Sequence, residues 1–432
     1  MPFSVPYLRD SLPVTTMLRI LHLSDIHLGT TTHGKINPRT GMNTRIEDFT
    51  NALKLCIDRA IADRADLVLF TGDAFPDATP PPFVQQAFAD QFRRLADAHI
   101  PTILLVGNHD LFAQGQGGAS LTIYRSLAVP RFIVGDRLTT HRLTTCHGAV
   151  QVITLPWLSK SALLTRQETA GLTAEEIDSL FLNRLSLVLE AEIRQLDPRV
   201  PTILMAHAMV DSATCGSERF LTTGKGFYLP LALLTRAVFS YVALGHVHRH
   251  QCLCSDPPVV YAGSVERVDF SEEKETKGYC WIEIDDQHRA HWQFCPLPTR
   301  PFVTIRLDVQ NATDPQKLLL DTIRRELKEG AIARLIFQIR PEQLTAIDEP
   351  ELHRAMAIAH SYSLNPEVIN HTNRVRVSEL SPTAIFDPIS ALRAYLTTRE
   401  DLQAVAEELV ALAEELWQES SEFQPEQMNL KL

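Results

Sequence analysis

Aspartate, asparagine and histidine recur in five short segments that each close an apolar run. The segments read SDIHLG, TGDAF, GNHD, MAHAMV and GHVH, and they contain Asp25, His27, Asp73, Asn108, His109, Asp110, His207, His246 and His248. Carboxylate, amide and imidazole ligands together suit Mn²⁺, Fe²⁺ or Zn²⁺. A single D-x-H or GD segment is more typical of a tight turn, because Gly, Asn and Asp accept turn conformations. Five such segments in this order favour a metal site.

The ligands are numerous enough for two metals. Seven of these side chains would furnish two sites of four protein ligands each if one carboxylate bridges the metals. Two metals about 3.5–4 Å apart can hold the attacking and leaving oxygens of a displacement and lower the pKa of a bridging water. The pattern therefore predicts a two-metal centre.

Other common chemistries lack their motifs. The sequence contains no G-x-x-x-x-G-K-[ST], so TGKGF is not a nucleotide-binding P-loop, and it contains no G-x-S-x-G. The seven cysteines are scattered, and the single C-x-C pair, Cys252 and Cys254, is a weak zinc signal. We expect reduced thiols in a cytoplasmic protein.

The segments that carry the polar residues alternate between strand and helix patterns. RILHLSD, ADLVLFTGD and IPTILLVGNHD have strand character, and amphipathic helical stretches separate them. This β-α-β-α-β order predicts a parallel sheet, whose carboxyl-terminal strand ends are the usual position of α/β sites. Hairpin-like segments after residue 250 predict a second, partly antiparallel sheet.

Three prolines between Pro296 and Pro301 indicate a boundary, and a small unit with β-α-β-α-β order follows it. We predict an N-terminal extension at 1–16, a metal-centre domain at 17–297, a small α+β domain at 298–382 and a helical segment at 383–432. The extension is expected to be poorly ordered. No apolar run reaches the roughly 18 residues of a membrane helix, and no signal peptide is recognisable, so no membrane association is expected.

The charge is concentrated at the C-terminal end. The 432 residues carry a net charge of −11, and residues 387–432 contribute 3 − 10 = −7 of it. The rest of the chain, at −4, could still present a basic face. Leu402, Val405, Leu409, Leu412 and Leu416 follow a 3-4-3-4 spacing, which predicts an apolar seam that packs either on its own domain or on a partner helix.

The order D-x-H, GD, GNHD, H, GHxH resembles the calcineurin-like metallophosphoesterase superfamily, over Asp25 to His248. Three further stretches are similar to its bacterial DNA-nuclease branch, the SbcD-type subunits of SbcCD complexes. These stretches read GSERFLTTGKGF, YAGSVERVDFSEEKETKGY and DPISALRAYL. The resemblance extends from Met17 to about Glu419. It implies a four-layer α/β/β/α sandwich with a small α+β capping domain that binds DNA and with C-terminal helices.

The resemblance also implies a role for each site residue. One metal would bind Asp25, His27, Asp73 and His248, and the other would bind Asp73, Asn108, His207 and His246, with Asp73 bridging. His109 would not ligate a metal. It would face the scissile phosphate and stabilise or protonate the leaving oxygen, with Asp110 as a candidate orienting partner. Pro76 departs from the nuclease branch, whose members often have a polar residue, a histidine or an aspartate, three positions after the bridging aspartate. His250, two residues after His248, finds no vacancy in either ligand set and is expected at the surface or in a supporting role.

The implied activity is a Mn²⁺-dependent exonuclease on duplex DNA, with 3′-5′ polarity, and an endonuclease on single strands and hairpins. The implied partner is an SbcC-type ATPase whose coiled coil binds the C-terminal helices, with the chain a homodimer within a heterotetramer. This favours partner docking for the leucine seam. A phosphoesterase acting on a small phosphodiester or a phosphoprotein is the alternative, since it would use the same metals. A non-catalytic scaffold would require lost ligands, and all seven are present.

Overall fold

A computed structural model describes residues 17–112, 118–214, 228–369, 388–397 and 400–422. The described residues belong to two units, one containing residues up to 337 together with 346–366, and the other 338–345 together with residues beyond 366. The predicted N-terminal extension lies outside the described residues, as does the predicted boundary at 382, so the domain limits stay predictions. Within the described ranges, no helix is long and apolar enough to cross a membrane.

The first large sheet has six strands. In sheet order they are β14 (Ala290–Pro296), β13 (Gly278–Ile284), β1 (Leu18–Leu23), β2 (Leu67–Phe70), β3 (Thr102–Leu105) and β4 (Phe132–Gly135). Strands β1 to β4 run parallel, and β13 pairs antiparallel with both β1 and β14. The parallel strands and their crossover helices confirm the predicted β-α-β-α-β order.

The second large sheet also has six strands and is mixed. In sheet order they are β11 (Gln251–Ser255), β12 (Pro258–Tyr261), β10 (Tyr241–Gly245), β7 (Thr202–His207), β6 (Gly148–Leu155) and β5 (Thr139–Thr145). Of the hairpin-like segments after residue 250 that predicted it, the one that contains β12 lies in this sheet, paired with β11, whereas β13 belongs to the first sheet. The four central strands are parallel, and the two edge strands β11 and β5 are antiparallel to their neighbours. A short parallel pair, β8 (Met209–Val210) and β9 (Tyr228–Leu229), lies apart from both sheets.

Helices connect and cover these strands. They are α1 (Thr44–Ala62), α2 (Pro82–Asp97), α3 (Thr122–Ser126), α4 (Arg166–Thr169), α5 (Ala174–Ile193) and α6 (Leu231–Leu234), with 3₁₀ turns at Lys160–Ala162 and Phe270–Glu272. The side chain of Asn43 caps α1, and Thr173 with Glu176 forms a capping box at α5. These caps define the N-terminal ends of α1 and α5.

Alternating side chains divide the core into three apolar layers. In β2, Leu67 and Leu69 point between the two sheets, whereas Val68 and Phe70 point toward α1 and α2. A third cluster lies between the second sheet and α5. Because each sheet is buried on both faces, its parallel strands are continuously apolar. The molecule is thus an α/β/β/α sandwich, as the sequence resemblance implied.

A three-stranded sheet follows the sandwich along the chain. Its order is β15 (Phe302–Asp308), β16 (Ile332–Ile339) and β17 (Ser361–Val368), accompanied by α7 (Pro315–Glu326), α8 (Glu349–Met356) and a 3₁₀ helix at Pro341–Ala346. The segment EPELHRAMAIAHSY predicts a helix over residues 349–362. This prediction is wrong at its end, because α8 stops at Met356 and residues 361–368 form β17. The segment RVRVSEL predicts a strand at 374–380, which lies outside the described residues.

The C-terminal helices are α9 (Pro388–Thr397) and α10 (Ala406–Glu422), joined by a 3₁₀ segment at Glu400–Val405. Arg393 donates a 2.8 Å hydrogen bond to Glu414, which ties the two helices together. Among the side chains that the structure describes in these helices, Leu396 and Val410 are buried. The predicted seam does not follow one continuous α-helix, since Leu402 and Val405 precede α10.

Candidate metal centre

The five polar segments meet at the carboxyl ends of the parallel strands. Three of them follow β1, β2 and β3 of the first sheet, and two follow β7 and β10 of the second. Both sheets therefore contribute to one site, at the strand ends where α/β proteins usually bind their ligands. Seven of the nine predicted site residues are buried, and the other two, Asn108 and His109, are partly exposed.

Asp25, His27 and His248 form one group of ligand atoms. One atom from each lies within 4.8 Å of the others, and all three side chains are buried. The Nε2 atoms of His27 and His248 are 3.0 Å apart, and Oδ2 of Asp73 lies 3.9 Å from Nε2 of His27. Asp73 thus stands beside this group.

Asp73, His207 and His246 form a second group with the same compactness. Oδ2 of Asp73 lies 3.3 Å from Nε2 of His207. Oδ1 of Asn108 lies 3.0 Å from that nitrogen and 2.8 Å from Nδ1 of His246. The structure therefore brings together all seven side chains that the sequence nominates as ligands, with Asp73 between the two groups.

The chemistry of these atoms fits a cation. His207 donates its Nδ1 hydrogen to the carbonyl oxygen of Thr71 at 2.7 Å, because a carbonyl can only accept. The Nε2 atom of a neutral His207 then presents a lone pair to the acceptor oxygens of Asp73 and Asn108. The buried Nε2 of His246 has no hydrogen-bond partner in the part of the chain that the structure describes. Converging lone pairs repel one another unless a proton or a metal ion lies between them.

Charges within the site shift the pKa values strongly. Burial raises the pKa of Asp25 to about 6. Burial also disfavours the charged form of Asp73, but the charges of His207 and His27 outweigh it and hold the pKa of Asp73 well below its ordinary value. For His207, burial is outweighed by Asp73, which raises the pKa of His207 to about 9. Asp73 therefore carries a negative charge at the junction of the two groups, and this charge favours a proton or a cation beside it.

The backbone at four of the predicted ligands is left-handed. The φ angles are 49° at Asp25, 46° at His27, 59° at Asp73 and 98° at His246. Residues with a Cβ rarely adopt these φ angles, and each such residue reduces the stability of the fold by about 1–3 kcal/mol. Four of them in one site indicate that the surrounding fold holds the ligands in position at some cost to stability.

Glycines before two of the ligands allow close approach. A Cβ on Gly72 would collide with the imidazole of His207, and one on Gly107 would collide with the carboxylate of Asp73. Only a residue without a side chain therefore fits at these positions, which explains the GD and GN pairs of the sequence.

His248 is held by a pair of charged residues that sequence reasoning missed. Its Nδ1 atom donates to Oε1 of Glu272 at 2.7 Å, and Lys277 contacts the other oxygen of Glu272 at 2.7 Å. Lys277 also donates to the carbonyl oxygen of His248 at 3.1 Å. Burial opposes the charge on Glu272, yet His248 and Lys277 keep its pKa well below the ordinary value. A carboxylate behind a ligand histidine fixes the ring and its tautomer.

His109 and Asp110 have different surroundings. His109 donates from Nδ1 to the carbonyl oxygen of Pro76 at 2.8 Å, and its ring lies edge-on to His27 with centroids 5.0 Å apart. One of its nitrogens also belongs to a compact group with His27 and Asp73. The carboxylate of Asp110 accepts hydrogen bonds of 2.9–3.1 Å from the backbone N–H groups of Asp73, Ala74 and Gly107. The orienting contact to His109 therefore comes from Pro76, and Asp110 joins two of the site loops.

His250 lies outside these groups. It donates from Nδ1 to the carbonyl oxygen of Tyr261 at 2.8 Å, and its ring stacks on Phe294 with centroids 4.0 Å apart. The ring is half-buried, between the second sheet and the β13–β14 hairpin. It packs as an aromatic residue.

Comparison with known proteins gives the family. Residues 18–250, just over half of the 432 residues, match the calcineurin-like phosphoesterase family. Among solved structures, the protein TT1561 of Thermus thermophilus is 16% identical, with 64% of this chain and 99% of that one covered and a TM-score of 0.32. A dimetal phosphatase from Danio rerio is 11% identical, with 61% and 92% covered and a TM-score of 0.37.

A purple acid phosphatase from yellow lupin (Lupinus luteus) seeds is 12% identical, with 65% of this chain and 52% of that one covered and a TM-score of 0.38. Likenesses of this size carry no argument about substrate. The family match and the two ligand groups that meet at Asp73 together indicate metal-dependent phosphoester hydrolysis. The chain belongs to the calcineurin-like phosphoesterase family.

Proposed function

We propose that the chain is a two-metal DNA nuclease of the SbcD type, which works with an SbcC-type ATPase in DNA repair and recombination. The observation that carries the proposal concerns residues 261–279, one of the stretches similar to that nuclease branch. This stretch surrounds His248: Ser264 donates its N–H to the carbonyl oxygen of His248 at 3.0 Å, and Glu272 and Lys277 hold the ring and backbone. The branch-like sequence is thus part of the metal centre.

The proposed reaction is attack of a water on a DNA phosphodiester. Two divalent cations, which we propose to be Mn²⁺, would be held by the two ligand groups and would supply an activated water and charge stabilisation. His109 has its Nδ1 hydrogen committed to Pro76, so its Nε2 atom is the one that would hold a proton for the leaving oxygen. Asp110 accepts hydrogen bonds from the backbone N–H groups of Asp73 and Gly107. These bonds fix the loops of Asp73 and Asn108 relative to each other.

The substrate is tested with the purified full chain and Mn²⁺. Labelled duplex, hairpin and single-stranded DNA are compared with bis-p-nitrophenyl phosphate, with and without the ATPase. Degradation of DNA that disappears in His109→Asn and persists in the control His250→Gln supports the proposal. Turnover of the small ester without any DNA degradation, even with the ATPase present, refutes it and favours a phosphoesterase of small substrates or phosphoproteins.

The proposed partner surface is the apolar row on α10. Leu412 and Leu416 are 54% and 57% exposed, and Leu409 and Trp417 are also exposed. A row of large apolar side chains at helical spacing favours docking of a second helix. We propose that this row binds the coiled coil of the ATPase, and that two copies of the chain assemble with two copies of the ATPase.

Docking is tested in the full chain with Leu412→Glu and Leu416→Glu together. Because both side chains are exposed, the double variant should keep its fold and its turnover of short single strands while losing co-purification with the ATPase. Leu187→Glu on α5 is a matched control, since Leu187 is 68% exposed on another helix. Unchanged association of the double variant would refute the docking surface without affecting the proposed chemistry.

A further inference from the structure

A cysteine, a histidine and an aspartate meet at the edge of the sandwich away from the metal centre. Asp66 stands directly before β2, whereas Asp73 follows that strand. At about 3.3 Å for each strand residue, the two carboxyl groups are on the order of 20 Å apart. This cluster is therefore separate from the phosphoesterase site.

The cluster joins the two large sheets. Oδ1 of Asp66 lies 2.9 Å from Sγ of Cys146 and 2.8 Å from Nδ1 of His147. The sulfur and the nitrogen are 3.8 Å apart. Oδ2 of Asp66 accepts the backbone N–H of Arg19 at 2.9 Å, which orients the buried carboxylate. Asp66 belongs to the first sheet, and the other two side chains belong to the β5–β6 hairpin of the second.

The hairpin holds the two ligand-type residues side by side. Cys146 and His147 form the whole connection between β5 and β6. The hydroxyl of Thr145 donates to the carbonyl oxygen of Gly148 at 2.9 Å and accepts the N–H of His147 at 3.1 Å. Gly148, with φ of 127°, completes the reversal. This turn directs both side chains toward Asp66.

We propose that Asp66, Cys146 and His147 form a second cation site, of the type that binds Zn²⁺, and that it links the two sheets. Thiolate, imidazole and carboxylate are the three protein ligand types of zinc. From zinc–ligand distances of about 2.0–2.3 Å and tetrahedral angles, the ligand atoms should be about 3.4–3.6 Å apart. The observed separations of 2.8, 2.9 and 3.8 Å bracket that range. To reach that range, the carboxylate of Asp66 would need to move about 0.6 Å away from Cys146 and His147.

The site is accessible from solvent. A cavity of about 570 Å³ is lined by Asp66 and Cys146, and Cys146 is exposed. A cation can enter there, and a water can take the fourth coordination position. On binding, the S–H bond of Cys146 is replaced by a sulfur–metal bond, and the thiol proton passes to solvent.

The experiment uses Co²⁺ and the full chain stripped of metal by a chelator. The phosphoesterase centre contains no sulfur ligand among the described residues, so a thiolate-to-cobalt charge-transfer absorption in the near ultraviolet distinguishes the second site from that centre. With Co²⁺ in excess over all the proposed sites, we expect the intensity of this absorption to correspond to one thiolate-bound Co²⁺ per chain, and we expect the absorption to disappear when Zn²⁺ is added. Cys146→Ser should abolish it, and His147→Gln should weaken the affinity for Co²⁺ at least tenfold.

A matched thiol serves as control. Cys252 is also exposed and lies two residues before another cysteine, so Cys252→Ser should leave the absorption unchanged. The small-ester turnover with added Mn²⁺ should be the same in Cys146→Ser and in the unaltered chain, which shows that the variant is folded. Absence of the absorption at saturating Co²⁺ overturns the proposal, as does an absorption that survives Cys146→Ser.

Discussion

The Nδ1 atom of His109 lies 2.8 Å from the carbonyl oxygen of Pro76, so Pro76 contributes to the site through its backbone. The contact leaves Nε2 of His109 for the substrate. His109→Ala should therefore reduce turnover by roughly 10²–10⁴, while the metal content, measured by mass spectrometry of the purified protein, stays near that of the unaltered chain.

Pro76→Ala is the matched variant for this prediction. It keeps the carbonyl oxygen that accepts from His109, so we expect turnover to change by less than about tenfold. If His109→Ala loses metal in parallel with activity, His109 is a ligand and its proposed role in proton transfer is wrong.

Asp73 lies between the two ligand groups, with Oδ2 3.9 Å from Nε2 of His27 and 3.3 Å from Nε2 of His207. Asp73→Ala should therefore remove both metals together, along with all turnover. Metal stoichiometry after dialysis is the measurement. Asp77→Asn, an exposed position in the same loop, is the control and should retain both metals. Retention of one full equivalent in Asp73→Ala would contradict a bridging role.

Glu272 holds only one of the ligand histidines, so its loss should affect the two metals unequally. Glu272→Gln should weaken binding of the metal at His248 by about 10–100-fold, the usual effect of removing a supporting carboxylate. Titration calorimetry with Mn²⁺ would show one weakened and one unchanged site. Glu275→Gln is matched, since Glu275 also contacts Lys277 at 2.7 Å but does not contact His248. Equal weakening of both sites by Glu272→Gln would be inconsistent with the structure.

The burial of His22 should make the stability of the fold depend on pH. This effect does not involve the metal ligands. His22 is buried in β1, with Nδ1 3.2 Å from the hydroxyl of Tyr241 and Nε2 3.2 Å from the hydroxyl of Thr71. Burial lowers the pKa of His22 from 6.5 to about 3. Between these pH values the unfolded chain binds the extra proton and the folded chain does not, so stability is full above pH 6.5 and falls as the pH falls.

The contribution of His22 to this loss between pH 8 and pH 5 is about 2 kcal/mol, from the pKa of the unfolded state. His22→Gln should shrink the difference between the unfolding free energies at those two pH values by that amount, in urea titrations followed by tryptophan fluorescence. His291→Gln, an exposed histidine of β14, is the control. An unchanged difference in His22→Gln would show that folding does not lower the pKa of His22.

The residue types and strand order of the site were predictable from the sequence, but the local geometry was not. Apolar runs that end in polar residues identified the strand ends after β1, β2 and β3, and the parallel order implied that they meet. His246 and His248 lie beyond the end of β10 at Gly245, so the alternation of side chains along a strand does not determine where they point. Their turn depends on distant contacts, such as the N–H of His246 donating to the carboxylate of Asp25 at 3.1 Å.

Glu272 and Lys277 show why supporting residues were harder to find. They lie in the run SEEKETKG, whose composition is typical of a solvated loop. Both are buried, because each neutralises the other beside His248. Periodicity cannot reveal such pairs. The one available signal was the likeness of this stretch to the nuclease branch, which marked the segment without assigning these residues a role.

Each ligand group takes side chains from both six-stranded sheets, and this has a consequence for the tuning of the enzyme. The gap between the ligands on either side is set by the thickness of the apolar layer between the sheets, which includes Leu69 and Met205. Residues that contact neither a metal nor a substrate therefore influence the distance between the ligands of the two sheets. Variation of metal preference should be sought by resizing this layer, at positions two to four residues before a ligand, as well as at the ligands themselves.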